Sequence, residues 1–525
     1  MEVIDRLPPP PGVDDEGTWS DAARFYLIGI GGRGEGALRE IGVWDQIEPY
    51  SAVVRGRKDW APGAGVDGGV ETIRNDRPPS HVIQRDRLVA CLLKAAEEAG
   101  VSVRHETDVT AIRWEETDEG EEAVLLCSPC DEACAVDEAG ADASREFELR
   151  APFVVAADGV RRTVGDAMEA EDAAKRWVMP GRRFRIKRYE DTAVRVYKTV
   201  PFTPPKDWRC DINYSARTAA ANFDALPTLS GTYCGVLLIK PDDALTQGLP
   251  DVPAARQYFD ELLPQFSPMI SDEALQAVIT KPPSFLPKFR FAGPRLHRGA
   301  STVLLGDAIH SVKPYFGLGV NSAFEDVVAL GRALDEAPTV GSALRCYSSR
   351  RAPEARVLVS LSRSFDFRGL RSFASFIGPI ILDGIFHSAL PAVFAPNTLA
   401  MLQKPELSFV HVRWRKRADR ALQLALLATL ATAAARLAAA ALAAATAALG
   451  RTALGASVPP FLRPLLVCLP ALGSALALAG RRRSVGGDVA DVLAAQTTPA
   501  EPEADEGPAE LTASSASGGG TRPGY

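Results

Sequence analysis

The chain has 525 residues, 46% hydrophobic and 24% charged, enough to bury at least one large core and too long for a single small module. A net charge of −7 and a pI near 5.6 give no overall electrostatic reason to bind nucleic acid, which needs a concentrated basic surface, so no nucleic-acid partner is expected. Eight sparse cysteines argue against a disulfide framework, and the acidic N-terminus has neither a secretory nor an organelle-import pattern.

In chain order, Glu2-Val3-Ile4-Asp5 reads as a short strand before a proline block and an acidic loop. From Arg24 an apolar run meets glycines and then GALREIGVWDQI, a strand, a turn and a short helix. His81 to His105 predicts a helix carrying Leu88, Leu92, Leu93 and Ala96, ended by Gly100 and followed by the strand VSVRH. Residues 127–145 read as a solvated acidic hairpin insertion, and APFVVAADG as a buried strand entering a turn. Alternating runs between Val194 and Ile239 predict an antiparallel sheet, a β-rich lobe inserted between α/β pieces. STVLLGD is a further strand, Ser322 to Leu334 a helix, and the chain is then mainly helical up to Arg420. Residues 421–450 are almost wholly Ala and Leu, broken by Arg436, and 461–480 form a second apolar run. With basic clusters around Arg413 to Arg420 and at Arg481 to Arg483, and Pro459-Pro460 between the runs, a membrane-bound helical hairpin with both ends cytoplasmic is expected. The tail from Ser484 has a disordered composition.

The stretch LLGDAIHSVKPYFGLGVNSAFED carries the most chemistry. A strand ending in Gly306-Asp307 lets backbone approach a ligand while a carboxylate accepts from sugar-like hydroxyls. Pro314 stiffens the approach, Gly317 and Gly319 allow tight backbone turns, and the following helix offers free N–H groups to an anion. On these residues the chain resembles the FAD-dependent aromatic hydroxylases, and within them the kynurenine 3-monooxygenases, over about residues 1–420.

The resemblance implies an α/β, two-lobed fold: an FAD-binding lobe from about 1–190 and 296–350, a β-rich substrate lobe from 191–295, a helical region from 351–420, a membrane anchor from 421–482 and a disordered tail from 483–525. It places Asp307 on the ribityl chain and pyrophosphate, and Pro314, Gly317, Leu318, Gly319 and Asn321 against the isoalloxazine ring. The turn ADGVRRTV is similar to a family turn shared by FAD and NADPH or NADH, which points to Asp158 and Gly159; Arg162 and Gly165 depart from its usual continuation. Arg85 matches an arginine facing the flavin chain, and Arg57 one that clasps a substrate carboxylate. Glu71 stands near the place of a family tyrosine, so a small aromatic substrate is implied without kynurenine being fixed. The implied reaction is hydroxylation of that substrate with NAD(P)H and O2, on a membrane, which in eukaryotic relatives is the mitochondrial outer membrane. A non-catalytic homologue and a flavin-dependent oxidase or reductase are the other readings.

Gly29 to Gly34 fits G-x-G-x-x-G, yet Gly42 cuts the following helix short and no strand ending in an acid follows at the required distance of about 20 residues. Arg33, Gly34, Ala37 and Leu38 instead resemble a later helix start of the family. On that alignment Asp5 takes the place of the acid that binds the adenosine ribose, and the chain as written is expected to lack the first strand, glycine loop and helix and to bind FAD weakly. Cys127, Cys130 and Cys134 lack a fourth ligand at zinc spacing, and His310 reads as a packed histidine, so neither a metal nor a catalytic side chain is assigned.

Overall fold

The computed structural model describes residues 1–19, 26–73, 78–118, 120–130, 146–175, 183–191, 194–314, 317–364, 369–451 and 459–460. The chain is α/β, with parallel strand pairs, antiparallel sheets and a helical C-terminal part.

Two parallel pairs form the α/β portion. Glu2–Ile4 runs alongside Ser102–Arg104, and Val154–Ala156 alongside Thr302–Leu304, with His297–Arg298 antiparallel on the far edge. Thr302, Val303 and Leu304 are buried throughout, the uninterrupted apolar reading of a strand covered on both faces. The core around them takes Met168 and Val164 from helix Thr163–Ala174 and Leu344, Tyr347 and Leu358 from helix Val340–Ser364.

The second core lies under one face of a seven-stranded sheet. Its strands run in the order Ser284–Phe285, Val196–Phe202, Tyr233–Ile239, Asn222–Pro227, Ile212–Arg217, Gly56–Trp60 and Val70–Ile73. Side chains alternate across a strand, so Trp60, Ile212, Tyr214, Phe223 and Leu237 share the face that packs on helices Val252–Leu262 and Asp272–Thr280. Trp60 is 2% exposed, and its truncation to Ala would cost about 3–5 kcal/mol.

The structure departs from the sequence-based boundaries in three places. The β-rich lobe does not come from 191–295 alone, because Gly56–Trp60 adds in parallel to Ile212–Arg217 and brings Val70–Ile73 with it. Cys127 to Pro129 are not loop: they complete strand Gly120–Pro129, paired with Thr107–Thr117, while 131–145 and Cys134 lie outside the described residues. No break falls at residue 420 either. One helix runs Phe409–Gly450, so the basic cluster and the Ala/Leu run are a single rod. The second apolar run, 461–480, lies outside the described residues.

Candidate cofactor and substrate site

The Gly306-Asp307 turn is fixed from two sides. Gly306 adopts φ of +60°, a left-handed conformation that a side chain would strain, and its N–H donates to Asp326 Oδ2 at 2.9 Å. His310 Nε2 meets the same oxygen at 2.8 Å, and Arg351 Nε donates to Oδ1. Burial opposes the charged form of Asp326, yet Arg351 and His310 outweigh it and hold the carboxyl at about 2. His310 is fully buried on Asp326, the packed histidine expected from its setting.

From the other side comes Arg162, fully buried at φ of +59°, donating to the carbonyls of Asp307 at 2.5 Å, Ala308 at 3.2 Å and Val160 at 3.3 Å. Left-handed backbone costs a non-glycine residue about 1–2 kcal/mol, and these hydrogen bonds offset it. Burial and the neighbouring Arg290 lower the guanidinium to about 10, while Asp307 and Asp158 support its charge. Asp158 and Gly159, at φ of +61°, belong to the turn that presents Arg162, so the two Asp-Gly turns meet through one side chain.

Burial pushes Asp307 up, with His310 and Arg162 pulling against it. Burial also raises Asp158, whose Oδ2 accepts from Val164 N at 3.0 Å while the buried Oδ1 has no hydrogen-bond partner among the described residues.

The glycine loop closes onto a helix. Gly317, at φ of +62°, is the N-cap of Leu318–Glu336, a 19-residue helix, and as a glycine it brings no side-chain cap to the first N–H groups. Leu318 is buried in the first core, Gly319 lies under Val312, and Pro314 is exposed. Asn321 is the clasp: Oδ1 accepts from Gly31 N at 3.0 Å, and Nδ2 donates to Gly29 O at 3.1 Å and to Gly317 O. Gly34 permits the approach, because a Cβ there would stand 2.0 Å from Asn321 Oδ1.

Strand Leu27–Ile30 sits in a three-stranded antiparallel sheet with Ser80–Gln84 and Ala52–Val54, and helix Gly32–Glu40 spans nine residues. A dinucleotide fingerprint needs a parallel strand and a longer helix, which agrees with the rejection of Gly29 to Gly34. Arg33 serves architecture: it donates to Leu402 O at 2.6 Å and to Glu325 at 2.8 Å, and lies over Phe409.

Asp5, Arg85 and Arg57 each have local partners. Asp5 follows the first strand, and its carboxylate accepts from Leu7 N at 3.0 Å. Arg85 opens helix Arg85–Glu98, pairs with Asp86 at 2.7 Å and lines a cavity of about 120 Å³ with Tyr26, Tyr197 and Lys281. Arg57 lies on the sheet face opposite the aromatic core and donates to Asp59 Oδ1 at 2.8 Å. That face continues as Asn213, Ser215 and Arg217 on the neighbouring strand, with Arg217 paired to Asp224 at 2.8 Å and the buried Asn213 Oδ1 without a partner among the described residues. The alternation of Asn213, Ser215 and Arg217 with Ile212, Tyr214 and Ala216 was the signal for this polar face.

The family model described as "FAD binding domain" matches residues 34–203 and 259–362, more than half of the chain. The chain belongs to this family, that of the FAD-dependent aromatic monooxygenases. Among curated relatives, the kynurenine 3-monooxygenase of Salinispora arenicola is 27% identical over 429 residues, covering 79% of this chain and 87% of the relative. That of Stenotrophomonas maltophilia is 25% identical over 395 residues, with 72% and 77% covered. Of solved structures, Klebsiella pneumoniae HpxO complexed with FAD and uric acid matches at a TM-score of 0.48 and 16% identity, over 78% of this chain and 96% of that one.

The residues present fit FAD. Asp307 and the unpartnered Asp158 Oδ1 are acceptors for hydroxyl groups, and an uncapped helix start behind Gly317 suits an anionic edge.

Proposed function

We propose that this chain hydroxylates a small aromatic substrate with FAD, NADPH or NADH, and O2, one oxygen atom entering a ring C–H bond and the other leaving as water. The observation that carries this reading is the Gly306-Asp307 turn, pinned by Asp326 and Arg162 beside a helix start left open by Gly317. FAD, when bound, supplies the oxygen chemistry. The protein's part is to hold and orient. Asp307 would accept from the ribityl chain, Asp158 from a neighbouring hydroxyl, and the N–H groups after Gly317 would serve the pyrimidine edge. On the polar sheet face Arg57 exchanges Asp59 for a substrate carboxylate, a bidentate task that a guanidinium performs well.

We place the protein on a membrane through helix Phe409–Gly450, with the catalytic part on the cytoplasmic side. It is long and apolar enough to cross, at a mean hydropathy of 1.7 over a window with no residue buried. Bacterial relatives lend the mitochondrial outer membrane no support.

The decisive test is Asp307→Ala in the full chain, titrated with FAD. The expected outcome is at least a tenfold loss of affinity with the unfolding midpoint retained, and equal affinity would overturn the reading. Product analysis under labelled O2 separates a hydroxylase from an oxidase, since only the former places the label in the organic product.

A further inference from the structure

Helix Gly369–Ala389 is clamped to the long helix by buried polar groups at the level where the apolar surface begins. Asp383, 1% exposed, accepts from Arg420 Nη2 and Gln423 Nε2, both at 3.2 Å, and its other oxygen lies 3.1 Å from Lys416 Nζ. Lys416 also pairs with Asp419 at 2.9 Å and donates to Pro396 O at 2.9 Å. The spacing 416, 420, 423 is one face of a helix, so Asp383 reads three successive turns of its partner. Arg420 Nη2 additionally donates to Pro379 O at 3.0 Å, one turn earlier.

The opposite side of the clamped helix is apolar and uncovered. Ile381 is 55% exposed and Ile385 59%, four residues apart and on one face. Immediately past Gln423 the long helix exposes Leu424, Leu427 and Leu430, so both helices carry exposed apolar side chains close to the clamp in sequence. The apolar portion, Ile377–Ala389, is too short to span a bilayer, which takes about 20 residues.

We propose that helix Gly369–Ala389 lies in the interfacial layer of a phospholipid bilayer with Ile381 and Ile385 toward the acyl chains, as a second lipid contact locked to the anchor helix by Asp383. The proposal rests on the membrane placement of helix Phe409–Gly450. The clamp, which fixes this helix to the segment where the anchor's apolar run begins, selects lipid as the occupant. The exposed Trp414 suits the headgroup level, where indoles concentrate, and a charge at such a boundary is tolerated when paired, as Asp383 is. The catalytic body is then fixed in orientation on the membrane rather than tethered to it.

The test uses the full chain reconstituted in phosphatidylcholine nanodiscs with or without 9,10-dibrominated lipid, a short-range tryptophan quencher. Ile385→Trp is compared with Val327→Trp on helix Leu318–Glu336, which is also exposed but away from the clamp, and the wild type supplies the baseline of seven native tryptophans. The emission added at 385 is expected to be quenched at least twofold more than that added at 327. Equal quenching while the protein stays with the discs overturns the proposal and spares the anchor. A wild type that does not co-purify with discs overturns the membrane placement itself. Ile381→Trp, one turn earlier, repeats the reading independently.

Discussion

Arg162 shows how much a single side chain can carry. It holds a left-handed backbone and joins two Asp-Gly turns through three carbonyls, so Arg162→Ala should release the turn that presents Asp307. Each hydrogen bond from a charged donor is worth roughly 1.5–3 kcal/mol, so the expected result is at least a tenfold weaker FAD titration together with a lowered urea midpoint. A second residue sets a pH limit. His297, bonded through Nδ1 to Ser348 Oγ at 2.6 Å, is lowered to about 4 by burial and by Arg295 and Arg345. Its unfolded value is 6.5, so between the two the unfolded chain binds more protons, and stability falls as pH drops from about 6.5 to about 4. Urea midpoints at several pH values should show that fall in the wild type and a shallower one in His297→Gln. At this scale the sequence was legible where the signal is local: strand, Gly306-Asp307, then Gly317-x-Gly319 within one short stretch. Arg162 looked only like a departure from the family turn, because its partners at 307 and 308 are about 145 residues away. Asp326 was equally hidden, since nothing in EDVVAL says that a carboxylate reaches back to Gly306 N.

Between elements, helix Gly32–Glu40 closely approaches helix Leu318–Glu336 at Gly34. Gly34→Ala should drive a methyl group into Asn321 Oδ1 and break its bonds to Gly31, Gly29 and Gly317. The expected cost is about 1–3 kcal/mol of stability, visible as a lowered melting temperature, with weaker flavin retention because the start of the second helix loses its fixed position. An unchanged melting temperature would show that the helices separate without penalty. Element types were readable from periodicity and glycine punctuation, as in the helix ended near Gly100 and the strand before Gly306. Partnership was not. Gly56–Trp60 is given no element from the sequence, and only tertiary pairing with Ile212–Arg217 assigns it to the β-rich sheet.

For the whole molecule, the position of a truncation decides what is tested. Ending the chain at Arg417 removes Arg420 and Gln423 from Asp383, whereas ending it at Leu424 keeps both. Taking partners from a buried charge costs about 3–5 kcal/mol, so the 417 form should aggregate or melt early, and the 424 form should be stable and should leave the membrane fraction. If both forms behave alike on heating, the clamp contributes nothing. The apolar run was plain in the composition, but its continuity with the basic segment before it was not, because a helix with charges at one end and alanines at the other has no single periodic face. The seven-stranded sheet has one more consequence, for synthesis rather than for the finished fold. Strand Gly56–Trp60 leaves the ribosome well before its parallel partner Ile212–Arg217 exists, a wait of roughly 8–30 seconds at ordinary elongation rates. Through that interval Trp60 has no core to enter and an edge of the strand stays open, the condition under which a nascent strand pairs with the wrong partner.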